Sequence, residues 1–113
     1  MPTCVIVRTA STIVPAPKLS RTLERIHQSV IPNYEIAQGL LSVWLLQRPF
    51  VGYVEVVIVS IWNSENALTL FLQNQLEMSI FDGEDVIRLE PHTFEVVLAR
   101  DGKSANEIEQ EPG

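Results

Sequence analysis

Few side chains in this sequence could do chemistry, and the most conspicuous is Trp62. The stretch 54–72, VEVVIVSIWNSENALTLFL, is a β-branched run that ends at this tryptophan, meets a polar knot, and restarts with a different apolar period. A tryptophan there can wall a pocket for a flat apolar ligand, or simply fill a core. Histidine exchanges protons near neutral pH, so His27 is a candidate general base. It falls roughly 70° from the centre of an apolar helical stripe, where a cavity-facing base and a half-exposed helix residue both fit. His92 follows Pro91 at the entry to the last apolar run, a surface position. Glu55 is the one charge in the middle of the longest apolar run, placed either as a buried acid or as the partner of an arginine at a rim.

Other chemistries find no support. The two histidines lie far apart and no carboxylate stands at metal-site spacing, so no metal is expected. No Ser-His-Asp order, glycine-rich phosphate loop or Cys-His pair is evident. The lone Cys4 excludes an intrachain disulfide and reads as a small hydrophobe in a first strand. Arg8, Arg48, Arg88 and Arg100 stand at strand ends, solvated or able to grip an anion, while Tyr34, Tyr53 and Trp44 read as core or pocket wall.

The elements that must carry these residues follow from their periods. Residues 4–9 are short and β-branched, a strand. The stretch 11–18, STIVPAPK, holds two prolines and reads as a loop. Leu19, Leu23, Ile26 and Val30 recur at helical spacing, and Pro32 should stop that helix. Residues 40–47 and 51–62 form two more strands, close enough for a hairpin. Asn63 or Ser64 caps a second helix whose buried stripe is Ala67, Leu68, Phe71 and Leu72, running to about Gln75. One more helical turn fits before Asp82-Gly83, and a last strand covers roughly 93–99. The order β-α-β-β-α-β predicts a ferredoxin-like α+β fold, a four-stranded antiparallel sheet with both helices on one face. Residues 1–100 make one domain, and the acidic stretch 101–113 is expected to be a disordered tail.

In such a sheet the helices cover one face only, so the strands should alternate apolar and polar. They do not. Val54, Val56, Ile58, Ser60 and Trp62 alternate with Tyr53, Glu55, Val57, Val59 and Ile61. Leu41, Val43 and Leu45 oppose Leu40, Trp44 and Leu46, and Phe94, Val96 and Leu98 oppose Val97 and Ala99. An apolar sheet face left in water marks an interface, and the expected partner is a second copy packed sheet to sheet about a two-fold axis. A different protein or a lipid is the alternative occupant. The formal charge of −6, with eight basic residues that form no run, argues against nucleic acid. The most apolar run, 51–62, falls short of the roughly 20 residues that span a bilayer as helix. With no signal peptide visible in MPTCVIVRTAST, a soluble cytoplasmic protein is expected.

The junction SIWNSENALTLFL resembles that of the antibiotic biosynthesis monooxygenase-like proteins of the dimeric α/β-barrel superfamily. Their pattern is a strand ending in Trp, a polar or acidic residue, Ser, an acidic pair, Ala and an aromatic; here Trp62, Asn63, Ser64, Glu65-Asn66, Ala67 and Phe71. The resemblance covers roughly residues 3–100. It implies a homodimeric barrel with a cavity between sheet and helices for small aromatic molecules, and cofactor-free oxygenation of phenols or quinols as the chemistry. It implies no cofactor and a pocket lined by Trp62, Ile58, Leu68 and Phe71; the catalytic candidates are Trp62, which the family pattern matches, and His27, which rests on residue type and position alone. A dimeric binding or assembly module of the same fold, without catalysis, is the alternative. The haem-degrading branch shares the Trp but needs an iron-ligating His near position 81, which is Phe81, and an Asn in the first strand, whereas the first Asn is Asn33. The Asn and Tyr that flank the Trp in phenol oxidisers are replaced near Ile58 and Leu68.

Overall fold

The computed structural model describes residues 4–74, 87–100 and 102. Strand β1 spans Ile6–Pro15, β2 Leu40–Phe50 and β3 Tyr53–Trp62. Strands β4, Ile87–Arg88, and β5, His92–Glu95, follow one another along the far edge of β1. All pairings are antiparallel, and the order across the sheet is β2-β3-β1, with β4 and β5 sharing the fourth place. The helical layer consists of α1, Leu19–Arg25, α2, Ile31–Glu35, and α3, Glu65–Gln73. This is the ferredoxin-like α+β arrangement. Among the described residues no helix is long and apolar enough to cross a membrane.

The inward side chains show why the helices lie on one face. Ile6, Ala10, Thr12 and Val14 of β1 and Val56, Ile58, Ser60 and Trp62 of β3 are buried beneath them. The helices return Thr22, Ile26, Val30 and Tyr34 from the first layer, and Leu68 and Phe71 from α3. Ser64 caps α3, its Oγ accepting a 3.1 Å hydrogen bond from the Ala67 N–H, and Glu65 sits in the first turn where the helix dipole favours an acid.

Several expected boundaries move. Strand β1 continues through the stretch read as a loop, because Thr12 and Val14 keep the inward alternation and Pro15 comes only at the last pair, opposite Tyr53. The first helical layer does not stop at Pro32. A π-helical turn, Ile26–Val30, precedes α2, and the Ile31 N–H donates to the Ile26 carbonyl five residues back. Proline lacks an N–H and its ring crowds the carbonyl four residues earlier, so a widened turn lets the helix pass it. That turn also offsets the drift of about 40° that a four-residue step makes in an α-helix, which keeps Ile26, Val30 and Tyr34 on the inward side.

The edge strand also differs from expectation. It begins earlier, at Ile87, and the pairs Thr12↔Arg88 and Thr9↔His92 leave one extra residue on its side, a bulge that takes in Pro91. It ends at Glu95, opposite Ile6, the first residue of β1, and Val97 and Leu98 are not strand residues. In β2 an irregularity between Leu40 and Ser42 puts Leu40 on the inward face with Val43 and Leu45, and leaves Leu41 exposed. Helix α3 ends at Gln73 with Asn74 as its C-cap, two residues short of the expected end near Gln75. The expected helical turn before Asp82-Gly83 and, apart from Gly102, the tail 101–113 lie outside the described residues.

The hairpin between β2 and β3 turns at Val51 and Gly52, with φ of 31° and 80°. Two left-handed residues make this a tight hairpin connection that favours Asn-Gly. Val51 is β-branched and 95% exposed, so it is strained and its side chain gains nothing by packing. Val51→Asn should raise stability by about 1 kcal/mol in chemical denaturation. An unchanged midpoint would count against a strained turn.

Candidate functional site

Trp62 closes β3 and is fully buried. Its Nε1–H donates to Ser60 Oγ at 2.9 Å, and that hydroxyl faces the Arg8 carbonyl at 3.5 Å across the β1–β3 ladder. A buried indole N–H needs such a partner, and a serine two positions back on the same strand face supplies it. The indole packs on Phe71 of α3, centroids 5.0 Å apart, and on Tyr34 of α2 at 6.5 Å, while Tyr34 and Phe71 are 4.7 Å apart. Three aromatic rings thus join the sheet, the end of the first helical layer and α3. Tyr34 brings a buried hydroxyl to this cluster.

Beside the cluster lies an open groove of about 290 Å³. Asn33, Ile36, Ala37 and Gln38 form one wall, and Ala67, Leu70, Phe71 and Asn74 the other. Its lining combines apolar side chains with three amides, those of Asn33, Gln38 and Asn74, and carries no ionisable side chain. Asn33 and Asn74 each donate Nδ2 back to a carbonyl four residues earlier, of Ser29 and Leu70, which fixes both amides on their helices. The groove suits an uncharged apolar molecule with hydrogen-bonding substituents.

The expected pocket residues are brought together, but as core. Ile58, Trp62, Leu68 and Phe71 are all buried in one cluster, and of the four it is Phe71 that also lines the groove. His27 stands on the exposed side of the π-helical turn, away from the aromatic cluster. His92 is exposed on β5, 6.2 Å from the Phe94 ring. Glu55 has the arginine partner, accepting a hydrogen bond from Arg48 Nε across the β2–β3 ladder. Arg8 is not a strand end: it is half-buried in β1 on the helix side and donates to Thr93 Oγ1 at 2.7 Å. Among the described residues no group of three His, Cys, Asp or Glu is placed to hold a metal.

No sequence family and no curated protein matches the chain. Solved structures do. A candidate antibiotic biosynthesis monooxygenase of Bacillus cereus superposes with a TM-score of 0.68 at 20% identity, over 88% of this chain and 99% of its own. The chain has the fold of the antibiotic biosynthesis monooxygenase-like proteins. A candidate monooxygenase of Shewanella loihica gives 0.65 at 22% identity, over 86% of this chain and 98% of that one. The haem degrader MhuD of Mycobacterium tuberculosis, with two haems bound in its active site, gives 0.61 at 22%, over 85% and 99%. A monooxygenase-like fold thus accounts for the strand–Trp–helix junction. A fold hosts many chemistries, so activity must be argued from the site.

Proposed function

We propose that the protein is a homodimer that binds an aromatic, quinol-type small molecule in the Asn33–Phe71–Asn74 groove and oxygenates it without a cofactor. The observation that carries this reading is the groove itself: an apolar lining that includes Ile36, Leu70 and Phe71, three amides beside it, and the buried aromatic cluster of which Phe71 is part. A quinol brings the electrons that dioxygen takes up, so the reading requires no flavin, haem or metal. Trp62 holds the back wall rigid rather than touching the ligand, and Tyr34 is the nearest buried hydroxyl. His27, on the exposed side of its turn, would reach a ligand only through a change in the first helical layer.

The dimer rests on the sheet face turned away from the helices. Trp44, Leu46, Phe50, Tyr53 and Phe94 are exposed there, beside half-buried Val57, Val59 and Ile61. At about 25 cal/mol per Å² of apolar area, such a face is strongly driven to be covered.

A non-catalytic binding module of the same fold is favoured by one observation, the closure of Ile58, Trp62 and Leu68 against their neighbours. The two readings part in an assay of oxygen uptake with a panel of quinols and phenols, joined to native mass spectrometry of the purified protein. Uptake abolished by Asn74→Leu is the expected result. Ligand binding without uptake would select the module, and neither binding nor uptake would overturn the groove as a site.

A further inference from the structure

Two of the groove's three amides are held one way round. Asn33 Nδ2 donates to the Ser29 carbonyl at 3.0 Å, and Asn74 Nδ2 to the Leu70 carbonyl at 3.3 Å. A backbone carbonyl can only accept, so in both residues the atom turned back to the helix must be the amide nitrogen. Each then has Oδ1, with two lone pairs, and one N–H to offer a ligand. Turning either amide over would set Oδ1 against a carbonyl oxygen and forfeit the bond. Gln38 lies exposed in the turn beyond α2, where its side chain can rotate to meet a donor or an acceptor, so it does not discriminate. The two asparagines do.

They stand on opposite walls, Asn33 with Ile36 and Asn74 with Leu70, so a ring held between the walls has a fixed amide on either side. A ring hydroxyl suits such an amide, because its O–H can donate to Oδ1. A quinone carbonyl has no hydrogen to give: it meets Oδ1 lone pair to lone pair and can use only the remaining N–H. An ether oxygen is limited in the same way. Among the described residues no cationic side chain lines the groove, so an ionised quinol would turn its charge toward two amide oxygens with nothing to balance it. The neutral dihydroxy form matches the lining best.

We propose that Asn33 and Asn74 make the groove selective for oxidation state, so that it binds the reduced, dihydroxy form of an aromatic ring in preference to the quinone. The inference rests on the groove proposed above as the ligand site, and adds the two residues that choose between the forms. A ring that has lost its hydroxyl hydrogens keeps its apolar contacts and loses both donors.

The test is equilibrium dialysis of the full chain under nitrogen with three matched probes: tetramethylhydroquinone, its dimethyl ether and tetramethylquinone. The methyl groups leave no ring carbon open to addition by the exposed Cys4 thiol, so binding is read without adducts. The native protein should hold the hydroquinone roughly tenfold more tightly than either acceptor-only probe, the effect of one or two net hydrogen bonds. In Asn33→Leu/Asn74→Leu the preference should vanish while the ether and the quinone still bind, because the apolar lining remains. Asn33→Asp/Asn74→Asp keeps the acceptor oxygens and should keep the preference. Equal binding of the three probes by the native protein would overturn the selectivity and leave the groove standing as a ligand site. A preference that survives the double leucine substitution would overturn its assignment to these two residues. If none of the three binds, the groove falls as a site and the selectivity falls with it.

Discussion

Trp62→Ala should cost about 3–5 kcal/mol of stability, enough to consume much of a small domain's margin. The indole is fully buried, touches two other rings and ties β3 to both helical layers, so its loss leaves a void that neighbours on three elements would have to fill. The same change removes the donor from which the buried Ser60 hydroxyl accepts, leaving it the longer bond to the Arg8 carbonyl. Trp62→Phe keeps most of the ring volume and loses the N–H, so it should cost about 1–2 kcal/mol. Denaturation of both variants gives the energies, and quinol-dependent oxygen uptake of the folded fraction gives the function. A back-wall role predicts that Trp62→Phe retains ligand affinity while lowering the melting temperature. A large loss of turnover at unchanged stability would instead place the indole against the ligand.

That expectation shows how far Trp62 could be read from the sequence. The junction was legible because its signals are local: β-branched alternation to Trp62, a serine able to cap, and a 67–68–71–72 stripe. Burial of all five alternate residues from Val54 to Trp62 on the helix side, half or full, follows from the same period. What could not be read depends on partners distant in sequence. Pro32 breaks a helix in isolation, and only the packing of Val30 and Tyr34 against the sheet favours a widened turn over a stop. Tyr34 stands four residues after Val30, as Val30 does after Ile26, so its inward position continues the spacing of that stripe once the stop at Pro32 is set aside. The bulge at Leu41 cannot be seen in a run of two leucines, yet it decides which side of β2 each residue takes.

The groove was the least legible feature. Its two walls come from 33–38 and 67–74, and its amides look in sequence like ordinary helix-end residues. Nothing in Gln38 or Asn74 alone distinguishes a rim from a cap. Side-chain type alone favours His27 as a proton acceptor, yet it stands on the exposed side of its turn. The fold instead buries Tyr34 in the aromatic cluster and sets three amides along the open groove. The outer sheet face was legible for the opposite reason, since an apolar alternation with no helix left to cover it is visible without coordinates.

Gly39→Ala is expected to be nearly as damaging as the loss of Trp62, although it adds a single methyl group. Gly39 lies between α2 and β2 with φ of +88°, a conformation that costs a non-glycine residue about 1–2 kcal/mol. A Cβ there would lie 2.4 Å from the Ala67 Cβ and 2.8 Å from Asn63 Oδ1. Alanine has no rotamer with which to yield, so the first turn of α3 must move. That movement also strains the Asn63 N–H to Gly39 carbonyl bond of 2.8 Å, which pins the α2–β2 loop to the junction after Trp62. Overpacking adds roughly 1–3 kcal/mol to the backbone term, for a total of about 2–5 kcal/mol. Ala67→Gly should rescue part of the loss, because it removes the contact with the Ala67 Cβ and leaves the Asn63 contact and the backbone term, and a double-mutant cycle in chemical denaturation measures the difference. Ala37, Gln38 and Ala67 line the groove on both sides of this contact. If the groove binds the ligand, Gly39→Ala should weaken binding as well as folding, and the Ala67→Gly rescue should restore stability more fully than affinity. Additive effects of the two substitutions on stability would mean that the close approach of Gly39 to Ala67 does not set the position of α3.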